Sequence, residues 1–122
     1  MIRNLVRSVI HNATVTNIAH QWPVALRLDP AIMRAAELVP LEIVEIMSLS
    51  TVTRFRTYVQ PGDPGEVTVF TTHEHHVSAG DVVSILTYSQ LHAGQSLDHR
   101  AKLVTLDPGN HVIAIADATT QF

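Results

Sequence analysis

The sequence predicts a compact, mainly β barrel, and three observations carry that reading. Short runs rich in Val, Ile, Thr and aromatic residues recur along the whole chain. Strong turn signals separate them, at Pro61-Gly62-Asp63-Pro64-Gly65, Ala79-Gly80-Asp81 and Asp107-Pro108-Gly109-Asn110. Only one segment has clear helical spacing.

The elements follow in order. Residues 2–10 form a mixed apolar strand, residues 13–19 a strand rich in Val and Thr, and residues 24–28 a short one. Asp29 then N-caps a helix, with Pro30 at the first position, where its missing N–H costs nothing. Ile32, Ala35, Ala36 and Val39 recur at helical spacing, and Pro40 ends the run because the residue before proline avoids the α region. Residues 41–47 alternate imperfectly, and residues 55–59 and 66–71 are further strands. Residues 82–88 are the most apolar run and read as a strand buried on both faces. Residues 102–106 and 111–117 complete the set.

At 122 residues and 13.4 kDa, residues 1–122 read as a single domain. The absence of cysteine excludes disulfides, thiolate catalysis and Cys-ligated metal centres. Eight Lys+Arg against 11 Asp+Glu give a formal charge of -3, which argues against a nucleic-acid surface. Charged residues are 16% of the chain against about 25% in an average soluble protein, a shortfall that suits an oligomer or a surface made polar by Ser, Thr, Asn and Gln. No stretch reaches the roughly 20 apolar residues of a membrane span. Residues 1–7 lack the apolar block of a signal peptide, so the expected location is cytoplasmic. Phosphate loops, dinucleotide fingerprints and nucleophile elbows are absent.

A family resemblance runs collinearly through these elements. It begins at Met1-Ile2-Arg3, includes His11 and Val15-Thr16, and reaches Asp29 without a gap. The helix with Ala35-Ala36 follows, then Glu42 and Ile46, and then the most specific stretch, Arg54-Phe55-Arg56-Thr57-Tyr58. Gly80-Asp81 and the apolar strand after it fit beyond a short deletion near residues 72–75. The chain resembles the pyruvoyl-dependent aspartate 1-decarboxylases. The resemblance implies a double-psi β-barrel with one or two short helices, assembled as a homotetramer around a small-molecule substrate.

The family's chemistry does not carry over with the fold. Its members cleave their own chain at a Gly-Ser bond, and the serine becomes the pyruvoyl group that accepts electrons as carbon dioxide leaves. The alignment puts Val24 and Ala25 at that bond. Alanine has no hydroxyl to attack the preceding carbonyl, so the expected protein has an unprocessed chain and no cofactor. Val9 stands where the family has a lysine, Met47 replaces a tryptophan, and the family's Asn-Gly-Ala-Ala segment falls in the altered stretch 71–76.

The retained residues outline a pocket. A guanidinium at Arg54 can clamp a carboxylate through two parallel hydrogen bonds, or simply make a surface or intersubunit ion pair. Tyr58, four residues on, shares its strand face and can donate a proton, or can be a satisfied barrel-mouth tyrosine. Thr57 faces the other way and reads as a relic of processing. His11 is a candidate general acid or base, or a histidine at a subunit contact. Trp22 lines the pocket where the family has tyrosine. Thr72 and His73 are candidate substrate contacts, Thr72 also as the N-cap of a turn. His73 and His75 of the His73-Glu74-His75-His76 cluster share a face, but no third metal ligand stands at a recognisable spacing, so no metal site is expected.

Two functions fit. In the first, a cofactor-free enzyme of specialised biosynthesis acts on a small molecule bearing a carboxylate or enolisable carbonyl. Arg54 orients the anion, Tyr58 or His11 moves a proton, and the reaction is decarboxylation, isomerisation, elimination or cyclisation. In the second, the protein is a non-catalytic ligand binder or a partner subunit of an active decarboxylase.

Overall fold

The computed structural model describes residues 1–20, 25–70 and 77–121. In chain order these form β1 (Ile2–Thr14), β2 (Asn17–Ala19), β3 (Leu26–Leu28), α1 (Pro30–Ala35), β4 (Ile43–Ser48), β5 (Thr53–Pro61), β6 (Val67–Phe70), β7 (Val82–His92), α2 (Ala93–Ser96), β8 (Arg100–Leu106) and β9 (Val112–Thr119). The strands hydrogen-bond in the order β2-β6-β3-β5-β4-β7-β1-β8-β9. Parallel pairs β1–β8, β2–β6 and β3–β5 interrupt the antiparallel ones, so the chain crosses over instead of running as a meander. The fold is the expected mainly β, double-psi barrel, with two short helices.

Alternation builds the core. Ile10, Leu26, Leu28, Ile46 and Ile85 project inward from four strands, and Ile32 reaches the same core from α1. Burying a side chain of this size contributes about 1.5–3 kcal/mol. The run at 82–88 corrects the expectation of two buried faces. Val83, Ile85 and Thr87 are buried while Val82 and Tyr88 are exposed, because β7 lies between β4 and β1 with only one face toward the interior.

Boundaries also differ from the sequence reading: the expected strand over 13–19 is divided between β1 and β2, and β5 and β7 run beyond the expected 55–59 and 82–88. β1 does not stop at residue 10. Asn12 takes φ 63, in the left-handed region that asparagine tolerates, and the pairing with β7 shifts between Ile10 and Ala13, so the strand bends and runs on to Thr14. The helix starts as expected, with Asp29 Oδ1 accepting from the Ala31 N–H at 2.7 Å. It ends before Pro40 is reached. Glu37 takes φ 59, the Leu38 N–H donates to the Met33 carbonyl at 2.8 Å and the Glu37 N–H to that of Arg34 at 3.2 Å, a Schellman close. Val39 therefore lies beyond the helix and is exposed.

Candidate functional site

The Arg54-Phe55-Arg56-Thr57-Tyr58 stretch is the middle of β5, and its alternation is strict. Phe55 and Thr57 are buried, whereas Arg54, Arg56 and Tyr58 face outward. Thr57 thus points into the barrel, as expected. β5 pairs with β4 so that Arg56 lies opposite Glu45 and Arg54 opposite Met47. The Glu45 carboxylate, 8% exposed, lies 3.6 Å from Arg54 Nε and 3.7 Å from Arg56 Nε. The Tyr88 hydroxyl of β7 donates to Glu45 Oε1 at 3.4 Å. Burial raises the Tyr88 pKa, and the Glu45 charge adds to the rise against an opposing pull from the two arginines. At neutral pH Tyr88 is a hydrogen-bond donor.

Arg54 therefore has an intramolecular anion beside its Nε, while its side chain is 68% exposed. It borders a groove of about 480 Å3 with Met47, Ser48 and Val52. Tyr58 opens onto a different groove, of about 400 Å3, shared with Ala25. Within a single chain the two grooves share no lining residue among those described. His11 is exposed on β1 beside Thr105 of β8, and its neighbour Val9 is buried. The structure thus brings Ala25 and Tyr58 together and leaves Arg54 and His11 on other parts of the surface. Trp22, Val24, Thr72 and His73 lie outside the described residues, as do Glu74, His75 and His76. Among the described residues no three His, Asp or Glu side chains gather as a metal site.

Sequence reasoning passed over Glu45, Arg56 and Tyr88. The available signal was the register of the β4–β5 hairpin, which sets the acid of residues 43–48 against two arginines spaced by two.

Ala25 is buried, 6% exposed, and its carbonyl accepts from the Phe70 N–H at 2.8 Å, so the backbone at this position is held at the edge of β6. The family model for aspartate decarboxylase matches residues 1–113. The chain belongs to the aspartate decarboxylase family. It is 34% identical to an aspartate 1-decarboxylase of Listeria monocytogenes, covering 92% of this chain and 90% of that protein. It is 32% identical to an aspartate 1-decarboxylase of Mycolicibacterium smegmatis, covering 99% of this chain and 90% of that one. A Staphylococcus epidermidis aspartate 1-decarboxylase is 33% identical, with 93% and 90% covered. Family membership accounts for the collinear landmarks from Met1-Ile2-Arg3 to the β5 stretch, and the curated relatives are lyases by name.

Proposed function

We propose that this aspartate decarboxylase family member keeps its chain intact and works without a pyruvoyl group. Its substrate is a small molecule carrying a carboxylate or an enolisable carbonyl. One observation carries the reading: the position that aligns with the family's processing serine is Ala25, set in the same groove as Tyr58. A methyl group cannot attack the Val24 carbonyl, and it offers no oxygen to eliminate. The residues present therefore do not fit the family's prosthetic group.

What remains is positioning and proton transfer. Tyr58, which borders the same groove as Ala25, is the acid, Arg54 holds the substrate anion, and His11 is the second titratable group of the site. Decarboxylation here needs a substrate that supplies its own electron sink, such as a β-carbonyl. Isomerisation, elimination and cyclisation need only the proton transfers. Because Arg54 and Tyr58 open onto different grooves of one chain, the complete pocket forms between copies in a homotetramer, with Trp22, Thr72 and His73 as further lining. A cytoplasmic location is part of this proposal.

The pairing of Arg54 with Glu45 favours a second reading, in which the arginine is structural and the protein is a non-catalytic ligand binder or a partner subunit of a self-processing decarboxylase. Intact-mass analysis after prolonged warming tests the proposal common to both. One full-length species of 13.4 kDa is expected. Two fragments divided near residue 24, one with a carbonyl-reactive terminus, would refute it.

A further inference from the structure

The groove that holds Ala25 and Tyr58 is built by three adjacent strands in the order β6-β3-β5. β3 is its middle. Leu26 pairs with Val59 and Val69, all three buried, which turns the residues on either side of them outward. Ala25 and Arg27 of the central segment therefore share one face with Tyr58 and Gln60 of β5 and with Phe70 of β6, and all five border the groove. Strand spacing of about 4.8 Å puts the columns carrying Tyr58 and Phe70 about 10 Å apart. That width admits one planar group between two aromatic side chains, above the Ala25 methyl. Arg27 and Gln60 are register partners at the end of this slot.

Arg27 has an anion behind it. Its buried Nε lies 3.3 Å from Glu66 Oε2, an ion pair that makes no hydrogen bond. Glu66 is itself fixed by the Asp63 N–H at 2.7 Å and the Thr68 hydroxyl at 2.6 Å. Burial works to raise the Glu66 pKa, but these two donors and Arg27 outweigh it and hold the carboxyl below its ordinary value, so the partner of Arg27 stays ionised. The guanidinium is thus held near Glu66 by charge while its side chain remains 42% exposed. A guanidinium held in this way suits a planar carboxylate, which takes two parallel hydrogen bonds from its fork.

We infer that the Ala25–Tyr58 groove binds a flat organic acid whose carboxylate pairs with Arg27, its planar body lying between Tyr58 and Phe70. This rests on the proposed function and deepens it. If Arg54 of another copy takes one carboxylate, Arg27 takes a second, and the substrate class is a diacid with an unsaturated or aromatic body. Gln60 is the neutral hydrogen-bonding neighbour that distinguishes the Arg27 end from the Tyr58 end.

The test uses phenylsuccinate, a diacid, and 3-phenylpropanoate, its single-carboxylate counterpart, with calorimetry on the full-length protein. The wild type is expected to bind the diacid about tenfold more tightly, a contact partly screened by water. Arg27→Gln removes that preference, and Arg27→Lys keeps part of it. Equal affinity for the two acids in the wild type, or a preference that survives Arg27→Gln, overturns the inference. Arg54→Gln separates the two proposals. Loss of the preference there with retention in Arg27→Gln rejects the Arg27 assignment and leaves the proposed function standing. Loss in Arg27→Gln with retention in Arg54→Gln removes Arg54 as the anion anchor and supports the groove. Should Arg27→Gln fail to fold, the Nε–H resonance of Arg27, identified by its disappearance in Arg27→Lys, carries the test in the wild type. It shifts with phenylsuccinate and stays still with the neutral diamide; a signal indifferent to phenylsuccinate overturns the inference.

Discussion

Asn110 shows how much one side chain can decide. It is 2% exposed, has φ 62 and sits at the end of the turn between β8 and β9. Its carboxamide oxygen accepts from the Thr14 N–H at 2.8 Å, and its amide nitrogen donates to the carbonyls of Thr14 at 2.9 Å and Gly65 at 3.0 Å. One residue thus ties the end of β1 and the β5–β6 turn to the β8–β9 turn. Asn110→Ala loses all three bonds and places a Cβ residue without asparagine's tolerance at positive φ. It is expected to cost about 2–4 kcal/mol in urea unfolding. Asn110→Gly restores the backbone freedom but not the bonds, and should recover less than half. Comparable midpoints for wild type and both variants would show that the clamp contributes nothing. The turn at 107–110 was legible in its Asp-Pro-Gly-Asn composition. The clamp was not, because its partners lie 96 and 45 residues away. Arg54 follows the same pattern: its residue type and strand face were readable, but Glu45 as its partner depends on a register that only pairing sets.

At the scale of elements, the β5–β6 turn is the joint that positions the groove. Asp29 caps α1 with one carboxylate oxygen and accepts from the Gly65 N–H at 2.8 Å with the other, so helix start and turn are held by one residue. Gly65 takes φ 77, a conformation glycine adopts without steric cost. Glu66 then links the turn to Arg27 of β3 and Thr68 of β6. Its pKa is held below the ordinary value of 4.5, so the unfolded chain binds the proton more readily than the folded one. The stability Glu66 adds is present above pH 4.5 and is lost as the pH falls through the lowered folded value. Glu66→Gln should therefore lower stability by about 1–2 kcal/mol at neutral pH, and the gap from wild type should narrow in acid. A gap that is constant with pH would show that the charge on Glu66 plays no part.

Over the whole molecule, large apolar side chains stand exposed at several places, among them β9 at one end of the strand order. β9 pairs only with β8 among the described residues, and Ile113 and Ile115 are 62% and 54% exposed on it. Together with a charged fraction of 16%, this agrees with a chain that covers part of its surface with other copies. Light scattering at micromolar concentration is expected to give a tetramer. A mass near 13.4 kDa would reject both the assembly and the pocket shared between copies.

By itself, the sequence determined the strand-rich class, the helix start at Asp29-Pro30, the turns and the family. These depend on period-two alternation, on capping and on glycine or proline conformation, all of which act between near neighbours. It also determined that residue 25 has no hydroxyl, because that is a matter of covalent structure. The tertiary structure alone decided that β1 bends through Asn12 instead of ending, that α1 closes at Glu37, and that β7 buries one face. It alone paired Glu45 with Arg54 and Arg56, and set Arg27 beside Gln60 and Glu66. The pairings follow from which strands become neighbours, and crossover connections bring together segments whose side chains carry no mark of one another in the sequence.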